Sequence, residues 1–382
     1  KGVYERECPQ LSTKISTSML IFNSMILLIL LLMCVSHTQV ANYGIFYKVY
    51  TPKAIAYFTM GYIVFWASLR IQFVDTAAYI KGFNEANTGI DAAIQALFQE
   101  GKQKGFDFLQ ILFKTFFSES YHWWLTLIAV ASGLPIMMTL RKYSVNYLYS
   151  MYLFVTSMIV VWMFNGIRQF VVAAIMFGLC DLIIKRKTIL FIVAVLLCST
   201  VHTTILVMLP IYFIVFETPF KRKMMLFVLL ILMSVFAISP LLEAMENVLH
   251  NTAYASNLEQ FAEDDGVHPL RVLFKAIPVI LAFIRRKKIE KINNQFINIC
   301  INMTTISVGI YVIGIFTSGI MIGRLPVYFD LYSLILIPYL FSYVYTDMKK
   351  QLYWGLGLLY LLFYFLMSGG LYYNSELTGF IK

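Results

Sequence analysis

The chain has 382 residues, of which 60% are hydrophobic, 16% aromatic and only 13% charged. A soluble domain usually carries about 25% charged residues, so this composition predicts a polytopic membrane protein. The net charge of +10 would favour nucleic-acid binding in a soluble protein. In a membrane protein the positions of the positive charges indicate which side of the membrane each loop lies on. We therefore predict no nucleic-acid partner. The five cysteines show neither disulfide nor zinc spacing, so we predict no metal site and no cofactor.

The N-terminal stretch KGVYERECPQLSTKISTS, residues 1–18, is polar and does not begin with Met. We treat it as an extension that a cloning or gene-start artefact would explain and leave it out of the fold prediction. The apolar run that follows is similar to a signal peptide, but no small-residue cleavage site precedes SHTQV. We therefore predict a first span there, and residues 19–382 as a single multi-span membrane domain.

The predicted fold class is an all-α polytopic membrane protein with about twelve transmembrane segments. A span needs about 20 mostly apolar residues. Ten stretches fit this requirement: 19–36, 54–69, 122–140, 147–165, 168–184, 224–242, 271–285, 296–316, 328–346 and 352–368. The stretch 188–217 is too long for one span, and the polar patch CSTVHTT divides it. We predict two short helices there that meet at His202.

The basic residues indicate the orientation. They cluster at Lys48 and Lys53, Arg141 and Lys142, 185–187, 221–223, 285–291 and 349–350. With twelve segments, all six clusters fall on one side of the membrane, which positive-inside bias makes cytoplasmic. Both termini and the loops 70–121 and 243–270 are then predicted outside.

Arg168 lies within the apolar stretch VVWMFNGIRQFVVAAIMFGL, residues 160–179. A charge at the centre of a span would cost roughly 2.5–3.5 kcal/mol. The predicted topology avoids this cost, because Asn-Gly is a turn signal and NGIR becomes a hairpin at the outer face. Arg168 is therefore predicted at the outer mouth, where it can reach water or an anion.

The outer loop 70–121 begins with Arg70 and Asp75 and contains GFDFLQILFKTFF. The apolar residues of that segment lie near helical spacing, which predicts a short amphipathic helix at the membrane interface. The outer loop 243–270 is acidic, and a solvated loop is the simplest interpretation of it. A further outer turn, TSGIMIGRLP, carries Arg324.

The predicted topology thus gathers six polar residues near one membrane face: Arg70, Asp75, Arg168, His202, Arg271 and Arg324. Arginines suit oxyanions, because the planar guanidinium forks onto phosphate or carboxylate. Several of them at one face predict an anionic ligand such as a phosphorylated one. His202 is a candidate general base, and the helix break that holds it is typical of a cavity wall.

Each of these six residues also has a structural alternative, and for Arg168 and Arg324 it is a purely structural charge near the membrane. Arg70 could extend to lipid headgroups, and Arg271 is better explained as a topological anchor. Asp75 could cap a helix locally, and His202 could do the same at the helix break.

Five segments together resemble the EpsG-like branch of bacterial Wzy-type polysaccharide polymerases. They are SLRIQFVDTAAYIKGFN, KGFDFLQILFK, NGIRQFVVAAIMFG, VHTTILVMLPIYF and GRLPVYFDLYSLILIPYLF, within residues 20–375. Each piece is weakly specific, and the resemblance rests on their order. One departure is Val74, which stands where the family often has Gly before the Asp.

The resemblance implies a GT-C-like glycosyltransferase of the bacterial cytoplasmic membrane, with its active site facing the periplasm or outside. Its substrate would be an oligosaccharide on undecaprenyl pyrophosphate, polymerised into O-antigen, capsule or exopolysaccharide. A chain-length regulator protein would be a further partner. An O-antigen ligase and a flippase for lipid-linked oligosaccharides remain alternatives.

The resemblance also implies roles for particular residues. His202 and Asp75 would be catalytic, as alternative proton acceptors. Pyrophosphate and substrate would be bound by Arg168, Arg324, Arg70, Gln169, Tyr79 and Tyr328. Arg168 and Arg324 are the strongest candidates for the pyrophosphate, because arginines are the cations available to compensate its charge.

Overall fold

A computed structural model describes residues 11–36, 40–43, 46–98, 103–231, 233, 266–319, 322–375 and 377. Most of these residues are helical, and the few strands are short. The acidic part of the predicted loop 243–270 lies outside the described residues.

The elements of the N-terminal half are α1 (Leu11–Val35), β1 (Val40–Tyr43), β2 (Phe46–Val49), α2 (Lys53–Ser68), β3 (Arg70–Gln72), α3 (Thr76–Glu85), α4 (Ile90–Phe98), α5 (Lys104–Phe116), α6 (Tyr121–Tyr143), α7 (Tyr147–Thr156), α8 (Ile167–Gly178) and α9 (Cys180–Ile184). A 3₁₀ helix, Ile159–Met163, joins α7 to α8. The strands β1 and β2 form an antiparallel hairpin.

The C-terminal half contains α10 (Thr188–Val201), α11 (Met208–Ile214), α12 (222–231), α13 (Pro269–Ile284), α14 (Arg286–Ile292), α15 (Gln295–Phe316), α16 (Val327–Asp330), α17 (Ser333–Tyr339), α18 (Lys349–Ser368) and β4 (Asn374–Ser375). A 3₁₀ helix, Thr203–Val207, follows α10, and a π-helix, Leu340–Val344, follows α17. The strand β4 pairs with β3 in antiparallel fashion.

Local sequence signals explain several helix starts. Asn146 and Asn294 precede α7 and α15, and each side chain accepts a hydrogen bond from the backbone N–H three residues later. At the start of α13, His268 Nδ1 accepts from the Leu270 N–H, and Pro269 occupies the first helical turn, where its missing donor costs nothing.

Four stretches of the described chain are helical, long and apolar enough to cross a membrane: Tyr121–Tyr143, Gln295–Phe316, Val327–Val344 and Thr346–Ser368. Shorter apolar helices cover Met19–Val35, Ile167–Gly178, Thr188–Val201 and Thr203–Ile214. These elements make the chain an all-α membrane protein apart from its short strands. The total of twelve spans and the GT-C-like architecture stay predictions.

The structure corrects several element boundaries. The predicted span 147–165 is not one helix, because α7 ends at Thr156 and Met158 adopts a left-handed φ of 64°. The predicted break at 202 is present, since His202 separates α10 from a 3₁₀ helix with an extended backbone. The predicted loop 70–121 contains two further helices, α3 and α4. The β1–β2 hairpin and the pairing of β3 with the C-terminal β4 were not predicted either.

The core lies around α7 and the segment 327–344. All ten residues of α7 are buried, and 94% of the segment Val327–Val344 is buried inside the protein. Around this core, α6 packs against α2 and α8, and α18 packs against α7. The outer surfaces of the peripheral helices expose large apolar side chains such as Leu197, Phe213 and Leu366, as expected where lipid is the solvent.

Basic clusters that are distant in sequence lie together. Lys48 Nζ donates to the Lys142 carbonyl over 2.7 Å, and Asp181 pairs with Lys142 at 2.8 Å and with Lys185 at 3.1 Å. Lys221 pairs with Glu290 at 2.6 Å. Three of the six predicted cytoplasmic clusters therefore meet at one place, and two others meet at a second.

Candidate functional site

The site is built around the turn before α8. Gly166 adopts a left-handed φ of 65°, which glycine tolerates and other residues rarely do. Its N–H donates to Asp75 Oδ2 over 3.1 Å. The segment that begins with Arg70 and Asp75 is therefore bonded directly to the NGIR turn. This contact pairs a carboxylate with the positive end of α8, which favours the charged form.

Asp75 has an incomplete set of partners. Its Oδ1 is buried and accepts no hydrogen bond. Burial raises the pKa of Asp75, while the Gly166 N–H and the nearby Arg70 and Arg324 act to lower it. A carboxylate with one free buried oxygen and a raised pKa can accept a proton from a substrate.

Arg70 lies beneath Asp75 and is completely buried. Its Nε donates to Thr76 Oγ1 over 3.1 Å, its Nη1 donates to the Ala67 carbonyl, and its guanidinium carbon lies 5.9 Å from the centre of the Phe164 ring. These contacts hold the loop that carries Asp75. Arg70 therefore stabilises the loop of the site from within the protein, which encloses its guanidinium.

Arg168 follows the turn and stands between two aromatic rings. Its guanidinium carbon lies 5.1 Å from the centre of the Tyr79 ring and 5.4 Å from that of Phe106. Its Nε is buried without an acceptor. The rings fix the direction of the guanidinium, and the unused donor remains for a ligand.

Phe106 reaches Arg168 because α5 packs against the protein. Gly105 lies so close to α10 that an added Cβ would come within 2.2 Å of Thr200 Oγ1. The face of α5 that carries Phe106, Gln110 and Ile111 is buried. Phe116 and Phe117 stay exposed. The predicted amphipathic helix exists, and its apolar face forms one wall of the site as well as an exposed surface.

His202 lies in the break between α10 and the following 3₁₀ helix. Its Nδ1 is buried and has no hydrogen-bond partner. Burial lowers the pKa of His202 to about 4, and the positive charges of Arg168 and Arg324 act in the same direction. The imidazole is therefore neutral at pH 7 and has a free nitrogen able to accept a proton.

Gln169 and Tyr328 connect α8, the 3₁₀ helix Thr203–Val207 and the segment that carries Arg324. Gln169 Nε2 donates to the Arg324 carbonyl over 3.1 Å and lies 3.5 Å from Thr204 Oγ1. The same Thr204 hydroxyl is 2.8 Å from the Tyr328 hydroxyl. Because Gln169 and Tyr328 are 4% and 1% exposed, they position the site from within the core.

Arg324 links the site to a neighbouring cavity of about 230 Å³. On one side it is close enough to Asp75 and His202 to lower both pKa values. On the other it lines the cavity together with Arg271 and Lys275. The structure thus brings together all six of the gathered residues, Arg271 included.

One polar group in this region was missed by the sequence analysis. Lys275 Nζ donates to Asp330 Oδ2 over 2.8 Å, and the same carboxylate accepts from the hydroxyls of Ser307 and Tyr311. The side chains of Lys275 and Asp330 are 9% and 3% exposed. A lysine inside the apolar run PLRVLFKAIPVIL was the available signal, since a charge in a span needs a partner.

Within the described ranges, no three His, Cys, Asp or Glu side chains are grouped as metal ligands would be. The charged groups described at the site are arginines, His202, Asp75 and Asp107, the last within electrostatic reach of Arg168. Such a set can bind an oxyanion, compensate developing negative charge and accept a proton.

Comparison with known proteins gave one significant relationship. No curated protein matches the chain, and no solved structure matches it. The profile of the EpsG family matches residues 53–377, which is most of the chain and includes every residue of the site described above. The chain therefore belongs to the EpsG family.

Proposed function

We propose that the chain is a membrane glycosyltransferase that polymerises oligosaccharide repeat units carried on undecaprenyl pyrophosphate, at the outer face of the bacterial cytoplasmic membrane. Membership of the EpsG family supports a polysaccharide-polymerase type of role. The observation that carries the finer proposal is the joining of the segments around Arg168, where the Gly166 N–H donates to Asp75 and Gln169 donates to the Arg324 carbonyl. Burial lowers the pKa of His202, and the positive charges of Arg168 and Arg324 also act to keep it neutral.

The reaction joins two lipid-linked units. A hydroxyl of the acceptor unit attacks the anomeric carbon of the donor, a new C–O bond forms, and the bond from that carbon to the pyrophosphate oxygen breaks. The hydroxyl proton passes to the free Nδ1 of His202, or to Oδ1 of Asp75 as the alternative acceptor. The departing pyrophosphate carries the electron pair of the broken bond.

Two arginines suit the departing charge. Preorganised donors in a water-poor site stabilise developing negative charge more strongly than water does. Arg168 offers an unused donor, and Arg324 lies between His202 and the adjoining cavity. Arg70 does not contact substrate in this proposal, because it is fully buried. Gln169 and Tyr328 act as positioning residues, and Tyr79 holds Arg168.

The test is the surface polysaccharide of a deletion strain complemented with either the wild-type chain or His202→Ala. A polymerase predicts that the deletion loses long chains but retains a single repeat unit, and that His202→Ala does not restore them. Loss of every capped lipid would indicate a ligase or a flippase instead. Unchanged chain lengths in the deletion strain would refute the proposal.

A further inference from the structure

A cavity of about 630 Å³ lies at the C-terminal end of α6. Trp124, near the other end of this helix, packs against Phe106 of the site described above, with the ring centres 5.4 Å apart. From Trp124 to Arg141 the helix rises about 25 Å, so the cavity is separate from that site. The proposed function assigns it no ligand.

The helices create this cavity because α8 ends before α6 does. The two helices are in close contact at Gly178, where an added Cβ would come within 2.7 Å of Pro135 Cβ. Helix α8 ends at Gly178, whereas α6 continues from Pro135 for about two more turns to Tyr143. The start of α2 and the short helix α9 enclose the space beside those last turns.

The cavity carries an excess of positive charge. Lys53, Arg141 and Lys142 line it, together with one carboxylate, Asp181. That carboxylate is already paired, with Lys142 at 2.8 Å and with Lys185 at 3.1 Å. In the part of the chain that the structure describes, Lys53 and Arg141 have no acidic partner within ion-pair distance. An anion is the complementary ligand.

The two unpaired cations have donors available for such an anion. Arg141 Nε donates to the Thr51 carbonyl over 3.3 Å, which orients the guanidinium and leaves its two terminal nitrogens without a partner among the described residues. Lys53 lies in the first turn of α2, where a cation opposes the helix dipole, so its charge does not stabilise that helix. Burial lowers the pKa of the neighbouring Lys48 to about 8, and the charge of Arg141 acts in the same direction. A bound anion would relieve this repulsion.

The cavity continues onto the lipid-facing surface of the protein. Its lining includes Tyr57, Met138 and Leu179, which are 56%, 57% and 37% exposed. Helix α6 is long and apolar enough to cross a membrane, and Arg141 lies in its last turn. Basic residues at that position lie at the depth of the lipid headgroups. A soluble anion would leave the apolar side chains unused, whereas an anionic lipid would contact both parts of the cavity.

We propose that this cavity binds an anionic phospholipid from the leaflet at this end of α6, with its phosphate at Lys53 and Arg141 and its acyl chains along Met138 and Leu179. Basic pockets between membrane helices recognise lipid headgroups in this way. The volume of about 630 Å³ lies within the roughly 300–1,000 Å³ of small-molecule sites, so it holds a headgroup while the chains stay in the bilayer. Positive-inside bias would place basic residues on this side of the membrane, but it would not bring cations from α2 and α6 onto one cavity. The proposal does not depend on the polymerase function.

The test measures lipid binding by the full chain, purified in an uncharged detergent, with dissociation constants from native mass spectrometry. The probes are dioleoylphosphatidylglycerol, dioleoylphosphatidylcholine and glycerol phosphate. We expect the phosphatidylglycerol to bind at least tenfold more tightly than either of the others. Equal affinity for the two lipids would refute recognition of the negative charge. Equal affinity for glycerol phosphate would refute a lipid as the occupant.

Variants assign the site. Lys53→Gln and Arg141→Gln should each weaken phosphatidylglycerol binding at least fivefold, because each removes a charge-assisted contact to the phosphate. The matched control is Lys187→Gln, which removes an exposed lysine close in sequence to Lys185 that does not line the cavity. The control should bind within twofold of wild type. An equal loss in all three variants would indicate a response to net charge alone and overturn the site, and so would wild-type affinity in Lys53→Gln.

Lys53→Gln also separates lipid binding from folding. The Lys53 side chain makes no hydrogen bond or ion pair among the described residues, and removing a cation from the first turn of α2 does not weaken the helix. The thermal midpoint of this variant without added lipid should therefore match that of wild type. The rise in midpoint on adding phosphatidylglycerol should be smaller than in wild type. An equal rise in the two proteins would contradict the proposal.

Discussion

Arg168→Lys should reduce the rate of polymerisation by about 10- to 1,000-fold, although the charge is retained. The guanidinium lies 5.1 Å from the centre of the Tyr79 ring and 5.4 Å from that of Phe106. Its Nε is buried and unused. Lysine keeps a point charge but loses the planar fork and its stacking geometry.

The magnitude follows from these contacts. A hydrogen bond to a charged group is worth about 1.5–3 kcal/mol, and a desolvated cation–π contact about 0.5–2 kcal/mol. Lysine recovers part of both, so we expect a net loss of about 1.5–4 kcal/mol in transition-state stabilisation. At about 1.4 kcal/mol per factor of ten, this corresponds to the stated range of rates.

The assay is the length distribution and yield of lipid-linked polysaccharide made by membranes with matched amounts of each protein. Tyr79→Phe, which keeps the ring and removes the hydroxyl beside Arg168, should cost less than Arg168→Lys. Arg285→Lys, on the exposed basic segment, should behave as wild type. A topological anchor would tolerate lysine, because Arg and Lys are nearly equivalent in setting orientation. Wild-type chains from Arg168→Lys would refute the role of Arg168 in the reaction.

Three further outcomes are expected. His202→Ala should lower polymerisation by about 10²–10⁴-fold at pH 7. The wild-type enzyme should stay active down to about pH 5, because the lowered pKa of about 4 keeps His202 neutral above that value. An activity loss centred near pH 6.5 would contradict this. In intact cells, a cysteine at Glu119 should react with a membrane-impermeant maleimide and one at Lys187 should not, and the reverse pattern would overturn the topology. Lys275→Met should lower the free energy of unfolding by about 3–5 kcal/mol, measured by thermal unfolding, because Asp330 then keeps a buried charge without its cation. The double variant Lys275→Met/Asp330→Leu should recover most of this loss.

The sequence was sufficient for the class of protein, and it pointed to polar residues that the structure brings close together. Long apolar runs predict membrane helices wherever they occur, because the hydrocarbon core selects on local composition. The Asn-Gly turn before Arg168 and the polar patch around His202 marked two helix boundaries that the structure contains. Counting spans then predicted the arginines near one membrane face, and the structure places Asp75 and His202 within electrostatic reach of Arg324.

The tertiary structure decided which of those residues are available to a ligand. Arg70, Arg168 and Arg271 are indistinguishable by composition, yet one is enclosed by protein, one stands between two rings, and one lines a cavity. The left-handed Met158 left no signal in its apolar run, and Lys275 indicated that a partner was needed without showing that the partner is Asp330. Hydropathy and charge are properties of neighbouring residues along the chain. Burial and pairing depend on groups that only packing brings together, 55 residues apart in the case of that ion pair.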